Sequence, residues 1–318
     1  MEFRFVKRLS LVVAVFVAVF SGDVYSQAGK AANTALFRSV TVLSRPDAIV
    51  WIDGVNRGKT DKSGKLEIRT VSSGAHTLRL RADGYKEKSQ PLTAIQKGEI
   101  KVILVKTTDE AELAYQEAER LTGADREKSA AAYRRAVKFR PNYPEAYLGL
   151  ARVLSDAGDL DEAKNALIAA RKLRPAYAEA SAVEGRINKE NGEEDTAVAA
   201  FKRAITEGKG FQPEAFAGLG LLYKEKAEGF GGSGDFAGED LNYTESAKYL
   251  KSAVTQLSGA PDAIIIYQLL GLVYERQKKY KDAIATYEEF LRIFRDSIEA
   301  TAVKSFIVQI RKDMAPQD

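Results

Sequence analysis

The stretch Ala146–Pro175, AYLGLARVLSDAGDLDEAKNALIAARKLRP, sets large residues (Tyr147, Leu150, Leu154, Leu160, Leu167) among small ones (Gly149, Ala151, Ala163, Ala166, Ala170) at helical spacing. An isolated amphipathic helix needs an apolar stripe but no Ala or Gly at fixed places on it. Small residues at set positions imply that backbones approach closely there. The pattern returns along the chain. Tyr133, Leu167 and Phe201 lie 34 residues apart, as do Ala136, Ala170 and Ala204. Ala163 and Ala197, Pro141 and Pro175, and Ala151 and Gly185 keep the same interval. Several registers sharing one period define a repeat array rather than a globule with one closed core.

A 34-residue helix–turn–helix unit with these residues resembles the tetratricopeptide repeat. Its second copy reads Tyr147, Leu150, Ala151, Leu154, Ala163, Leu167, Ala170, Pro175, and its third Gly185, Ala197, Phe201, Ala204. The fourth has Phe216, Leu219, Gly220, Tyr223, Ser246, Leu250 and Ala253, and the fifth Tyr267, Leu270, Gly271, Tyr274, Ala283 and Tyr287, with Phe290 in place of Ala. The first copy is degenerate: Gln116 and Glu117 stand where Leu and Gly belong, as suits a terminal repeat with no neighbour on one side. The resemblance implies five hairpins over 107–294. Within 295–318, Val303, Phe306, Ile307 and Ile310 form the stripe of a capping helix over Ser297–Lys312. A 14-residue insertion falls within 224–245. Its glycines predict a flexible surface loop; the alternative is a lip that takes a partner through Phe230 and Phe236. Gly229, Gly231 and Gly234 spell GxGxxG, but a predicted helix precedes them where a dinucleotide fold needs a strand.

Residues 39–106 change to a period of two: Val50 and Ile52 against Trp51 and Asp53, Leu78 and Leu80 against Arg79 and Arg81, Ile100, Val102 and Leu104 against Lys101, Ile103 and Val105. Short half-buried strands joined by Gly-containing turns predict a small β-sandwich. The stretch SRPDAIVWIDGVNRGKT (Ser44–Thr60) resembles the PEGA family through Ser44, Pro46, Trp51, Asp53, Gly54, Gly58 and Thr60. SSGAHTLRLRADGY resembles its closing half through Gly74, His76, Leu78, Leu80, Gly84 and Tyr85, although Pro46-Asp47-Ala48 lacks the name-giving Gly. TDKSG (Thr60–Gly64) is also similar to the carboxypeptidase-regulatory sandwich. Both resemblances imply an extracytoplasmic binding or spacing module without catalysis. The fold expected is multidomain: an all-β sandwich followed by an all-α tetratricopeptide-like solenoid.

At the N-terminus, Arg4, Lys7 and Arg8 precede an apolar run from Leu9 to Phe20, and Val24-Tyr25-Ser26 follows as a cleavage site. Such a layout over 1–26, with a linker at 27–38, predicts a secretory signal peptide. The run is shorter than a membrane span, so an N-terminal anchor is expected only if the signal stays uncleaved. The chain is therefore expected in the periplasm or at the cell surface. No Cys is present, which excludes disulfides, thiol chemistry and a lipid-anchored lipoprotein.

The chain carries 48 Lys and Arg against 44 Asp and Glu, with no basic tract interleaved with aromatics, which argues against nucleic acid. The single His76 has no partner for a relay or a metal site, so it is expected as an ordinary strand residue. No catalytic motif stands out, and no cofactor or metal is implied. Carried over from the repeat family, the inward positions of the first helices are Leu148, Arg152, Val183, Arg186, Lys189, Leu221, Lys224, Leu272 and Arg276. They mix apolar and basic side chains, so the concave groove is expected either to take a partner segment bearing acidic residues or to hold these cations merely as the solvated ends of amphipathic helices. The carboxylate clamp of chaperone-binding relatives lacks its Asn here. The function expected is a non-enzymatic scaffold of the bacterial cell envelope. The alternative is a cell-wall or glycan binder that reads its ligand through Trp51 and Tyr85 of the sandwich.

Overall fold

The computed structural model describes residues 37–314; the expected signal peptide (1–26) and most of the 27–38 linker lie outside them. Strands come first. β1 (Arg38–Leu43) pairs antiparallel with β4 (Lys65–Val71) and parallel with β7 (Gly98–Lys101). The second sheet runs β3 (Val55–Lys59), β2 (Ile49–Ile52), β5 (His76–Arg81), β6 (Lys88–Leu92), all antiparallel. The period of two sends Val40 and Val42 of one sheet into a shared core with Val50, Ile52, Leu78 and Leu80 of the other. The alternation outlasts the last strand, with Val102 and Leu104 buried and Ile103 and Val105 exposed. Asp53 and Gly54 both take left-handed φ (51° and 80°), as a tight hairpin turn demands. His76 opens β5; its Nδ1 lies 2.6 Å from an Asp53 carboxylate oxygen and its Nε2 3.0 Å from the Ser72 carbonyl, which pins that turn.

Five helical hairpins follow: α1 (Glu110–Leu121) with α2 (Arg126–Phe139), α3 (Pro144–Ala157) with α4 (Leu160–Leu173), α5 (Ala178–Glu190) with α6 (Glu194–Glu207), α7 (Pro213–Gly232) with α8 (Phe236–Leu257), and α9 (Ala263–Arg276) with α10 (Tyr280–Ile293). Asp109 and Asp125 cap α1 and α2 through their carboxylates, and Pro144 and Pro213 open α3 and α7 where no amide donor is needed. The small residues of the repeat are sockets. A Cβ on Gly185 would lie 2.6 Å from the Phe201 ring, and one on Gly220 would lie 2.6 Å from Leu250. Gly149 is likewise closed by Tyr133 and Gly271 by Tyr287. The last hairpin is covered by α11 (Ala300–Asp313) through Val303, Ile307 and Ile310. Phe306 departs from the expected stripe: it is half exposed, with its ring 5.6 Å from that of Tyr287.

The insertion is a second correction. It lengthens α7 and α8 into a helical extension instead of a loop. Its glycines let the two helices meet at the tip, since a Cβ on Gly231 would lie 2.7 Å from the Glu239 carboxyl and one on Gly238 2.8 Å from Phe230. Two glycines of the GxGxxG, Gly229 and Gly231, sit inside α7 with no strand before them.

The sandwich is joined to the solenoid at two places. At the first, the Arg81 guanidinium is buried between the Trp51 and Tyr115 rings and pairs with Glu87 and Glu119. Gln116 accepts from the Gly84 amide at 2.8 Å and donates to the Tyr85 carbonyl at 2.8 Å. The first repeat is thus degenerate for a different reason than a missing neighbour: its neighbour is the sandwich, and Gln116 serves that contact. At the second joint, Arg57 donates to the Leu257 and Ser258 carbonyls at the C-terminus of α8 (2.9 and 2.8 Å), where a helix favours a cation. Burial pushes the Arg57 guanidinium down to about 10, with the Asp53 charge pulling the other way. Ser258 donates to the Thr70 carbonyl at 2.9 Å. Gly259, at φ 75°, leaves no room for a side chain, since a Cβ would lie 2.7 Å from Thr70 Oγ1. Gly259→Ala is therefore expected to cost about 1–3 kcal/mol through backbone strain and to pry this joint apart. Hydrogen exchange read residue by residue should accelerate in β4 and at 257–260 and stay unchanged in α3 and α4; uniform acceleration would contradict the two-joint description.

Candidate functional site

Successive first helices pack directly on one another, α3 on α5 and α5 on α7, while the second helices make no comparable contact. The array therefore curves with its first helices inside, and the predicted groove residues can be placed. Leu148 and Val183 are buried in the array's own core. Leu221 and Leu272 are half-buried. The cations are present but not free. Arg152 makes a two-pronged pair with Glu214, reaching from the second hairpin to the fourth. Burial opposes the Arg152 charge, and Glu214 overcomes that and raises its pKa. Arg186 lies 3.2 Å from Asp156, Lys189 2.7 Å from Glu225, and Lys224 2.7 Å from Glu228. Arg276 is exposed and makes no ion pair among the described residues. Most of these cations are thus already paired inside the array, Arg186 and Lys189 with adjacent hairpins, Arg152 across to the fourth hairpin and Lys224 within α7 itself.

What remains open on the inner side is a cleft of about 740 Å³. One wall is the β2–β3 turn, Asp53–Asn56; the other is the N-terminal ends of α5, α7 and α9. Val55 beside that turn is buried in the apolar cluster of the last two hairpins, so the turn is anchored rather than hanging free. Phe211 and Ile265 expose apolar surface into the cleft, 39% and 54% accessible. Its charged lining is five carboxylates, Asp53, Glu179, Glu207, Glu214 and Asp262, against Arg152 and Arg174. Arg174 already pairs with Glu145, outside the cleft lining. Glu207 is taken by Arg171 and Ser181. Glu179 and Asp262 make no hydrogen bond or ion pair with another side chain among the described residues. The Asp262 carboxyl is raised above the usual carboxylate range by burial and, second, by the Glu214 charge.

These acids escaped the sequence reading, although a signal was present. Pro144-Glu145-Ala146, Ala178-Glu179-Ala180 and Pro213-Glu214-Ala215 place a carboxylate in the first turn of successive inner helices. First-turn acids are ordinarily explained by the helix dipole, which hid their second role as a ladder along one edge of the inner face.

Trp51 and Tyr85 offer no open platform. Trp51 is buried, with the Arg79 guanidinium 4.1 Å above its ring and Arg81 beside it, and Arg45 stands 4.9 Å over Tyr85. The expected aromatic lip sits at the tip of the α7–α8 extension, where Phe236 and Leu241 are exposed beside Phe230. Among the described residues no group of three or more His, Asp or Glu converges as a metal site, and no helix is long and apolar enough to cross a membrane.

Comparison with known proteins agrees with this architecture. Residues 119–163 and 148–210 match one tetratricopeptide-repeat profile, and 264–297 match another. The fourth hairpin, with its extension, falls between the matches. Among solved structures, yeast Tom70 is 14% identical with a TM-score of 0.51, over 65% of this chain and 41% of its own. MamA from Desulfovibrio magneticus is 20% identical with a TM-score of 0.41, over 60% of this chain and 98% of its own. A thermophilic repeat protein of Thermus thermophilus is 16% identical with a TM-score of 0.46, over 63% and 98%. At these identities the Tom70 likeness speaks for the fold alone. A search of curated proteins gave no match. The matched profiles describe a repeat, and no catalytic family is among them.

Proposed function

We infer that this tetratricopeptide-repeat solenoid, clamped by its β-sandwich, is a non-catalytic protein-interaction scaffold that holds a partner segment in the cleft between the two. The observation that carries this reading is the cleft itself: about 740 Å³ at the contact between two modules, with exposed Phe211 and Ile265 on its walls. Sites for ligand segments concentrate at such module interfaces, and this volume falls within the usual range of roughly 300–1,000 Å³. Apolar anchors inside a pocket are where binding energy gathers. The setting belongs to the same proposal. Arg4, Lys7 and Arg8 ahead of the Leu9–Phe20 run support export, and the PEGA-like residues of the sandwich support a place in the cell envelope.

The test is affinity capture from envelope extracts with three proteins: the wild type, the cleft variant Phe211→Ser/Ile265→Ser, and Ile168→Ser on the outer helix α4 as a control. Ile168 is more exposed than the cleft residues, at 66%, and lies away from the cleft. The expected result is one or more partners lost with the cleft variant and kept with the control. Identical recovery by all three would remove the cleft from the function.

A further inference from the structure

We propose that the segment held in this cleft is basic and apolar: a lysine or arginine of the partner reaches Glu179 and Asp262 while neighbouring aliphatic residues lie against Phe211 and Ile265. This rests on the cleft reading above and reverses the polarity that the groove cations suggested.

Which charges are already paired decides the polarity of the cleft. The lining holds three more negative than positive groups. The N-termini of α5, α7 and α9 bring partial positive charge to the same space, while the C-terminal ends of α6 and α8, at Gly208 and Leu257, bring partial negative charge that works against it. The sign stays negative. Of the two cations, Arg152 is clamped by Glu214 and Arg174 by Glu145. Each therefore already holds a carboxylate, and a partner's carboxylate would have to share that guanidinium with it. Glu179 and Asp262 line the cleft without a cation bonded to them; Glu179 acts only through space on Arg152 and Arg174, and the charge that acts on Asp262 is that of Glu214. The raised pKa of Asp262 reports the same imbalance, since burial and Glu214 act on it with no cation among the causes. An incoming ammonium or guanidinium relieves that imbalance, whereas an incoming carboxylate adds to it. The apolar wall sets the other half of the specificity. Ile265 and Phe211 are large apolar side chains left in contact with water, and a long basic side chain covers such surface with its methylene stem while its head stays with the acids.

The anchored turn restricts how the segment enters. Asp53–Asn56 lies across the inner side and is held by His76 and by the buried Val55, so the cleft is approached from its open edge and not along the whole array. A short stretch or a chain end fits this entrance better than a long helix lying along the groove.

The experiment uses the full described chain and two fluorescent nonapeptide pools. In one, Lys and Arg alternate with Leu, Ile, Val and Ala; in the other, Asp and Glu take the basic positions. Binding is followed by anisotropy at several salt concentrations with the wild type, with Glu179→Gln/Asp262→Asn, and with the apolar variant Phe211→Ser/Ile265→Ser. Thermal unfolding of each variant establishes that it is folded. The basic pool is expected to bind the wild type, to weaken with salt, and to lose about fivefold to tenfold in affinity in the Gln/Asn variant. Preferential binding of the acidic pool, binding of neither pool, or an unchanged affinity in the Gln/Asn variant each overturns the proposal. If partner capture depends on Phe211 and Ile265 while the Gln/Asn variant captures as the wild type does, the cleft reading stands and only the polarity falls.

Discussion

Phe201→Ala is expected to lower the unfolding free energy by about 3–5 kcal/mol, the largest effect of any single substitution described for this protein. The ring is almost fully buried, and it is held by glycines of two different hairpins: Gly185 of α5 in its own hairpin and Gly218 of α7 in the next. Ala197, Ala204 and Ala215 surround it. The glycines and alanines have no side chain able to swing into the space the ring would leave, and Leu219 and Leu222 of the same cluster are themselves buried, so most of the cavity persists. A repeat array also depends on each interface with its neighbour, and Phe201 sits in the one between the third and fourth hairpins. Denaturant unfolding should therefore show both a lower midpoint and a shallower or split transition. Phe201→Leu, which refills part of the space, should recover more than half of the loss. Equal effects of the two substitutions, or a loss below about 1 kcal/mol, would contradict the socket description.

Arg81→Met is the second large effect. Its guanidinium is buried, contacts Glu87 and Glu119, and approaches Glu112 at 3.9 Å. Burial works against the charge, and Tyr115, Glu119 and Glu87 outweigh it, so the pKa of Arg81 is raised. Removing it leaves Glu119 and Glu112 without their cation and Glu87 with Arg79 alone, at 3.1 Å. Breaking a buried pair from one side costs about 3–5 kcal/mol, and partial exposure of Glu87 and Glu119 reduces this to about 2–4 kcal/mol. Met keeps most of the apolar packing against Trp51 and Tyr115, so the loss reads the charge rather than a void. Trp51 is the only tryptophan and its ring centroid lies 5.5 Å from Arg81, which makes its fluorescence a local probe. The expected outcome is a Trp51 transition that separates from, and precedes, the loss of helical circular dichroism. A variant whose two signals remain superimposed at the wild-type midpoint would show that the joint does not hold the modules together.

Much of the fold was legible because the solenoid is built from local rules repeated. The 34-residue interval, the Ala and Gly positions and the aromatics opposite them are statements about neighbours in sequence, and each hairpin contacts chiefly the next. The sandwich was legible from its period of two for the same reason. Reading failed where an explanation needed a contact between distant segments. Gln116 looked like a defect of a terminal repeat until Gly84 and Tyr85 were seen bonded to it. Trp51 looked like an outward aromatic until Arg79 and Arg81 were seen over its ring. The glycines of the insertion looked like a loop because a helical hairpin tip and a flexible loop both call for residues without a Cβ.

The candidate site shows the same division. The repeat interval was legible in the sequence, and the resemblance to the repeat family implied which residues of the first helices face inward; two of these, Leu148 and Val183, are buried in the array's own core. Only the tertiary structure decided which charges on that face are spent and which are free. Arg152 finds Glu214 62 residues away and Arg57 finds the end of α8 200 residues away, and such pairings depend on how the array curves and where the sandwich lands. Side-chain period is a property of the local backbone, whereas electrostatic neutralisation is a property of distances in space, and no spacing in the chain reports those.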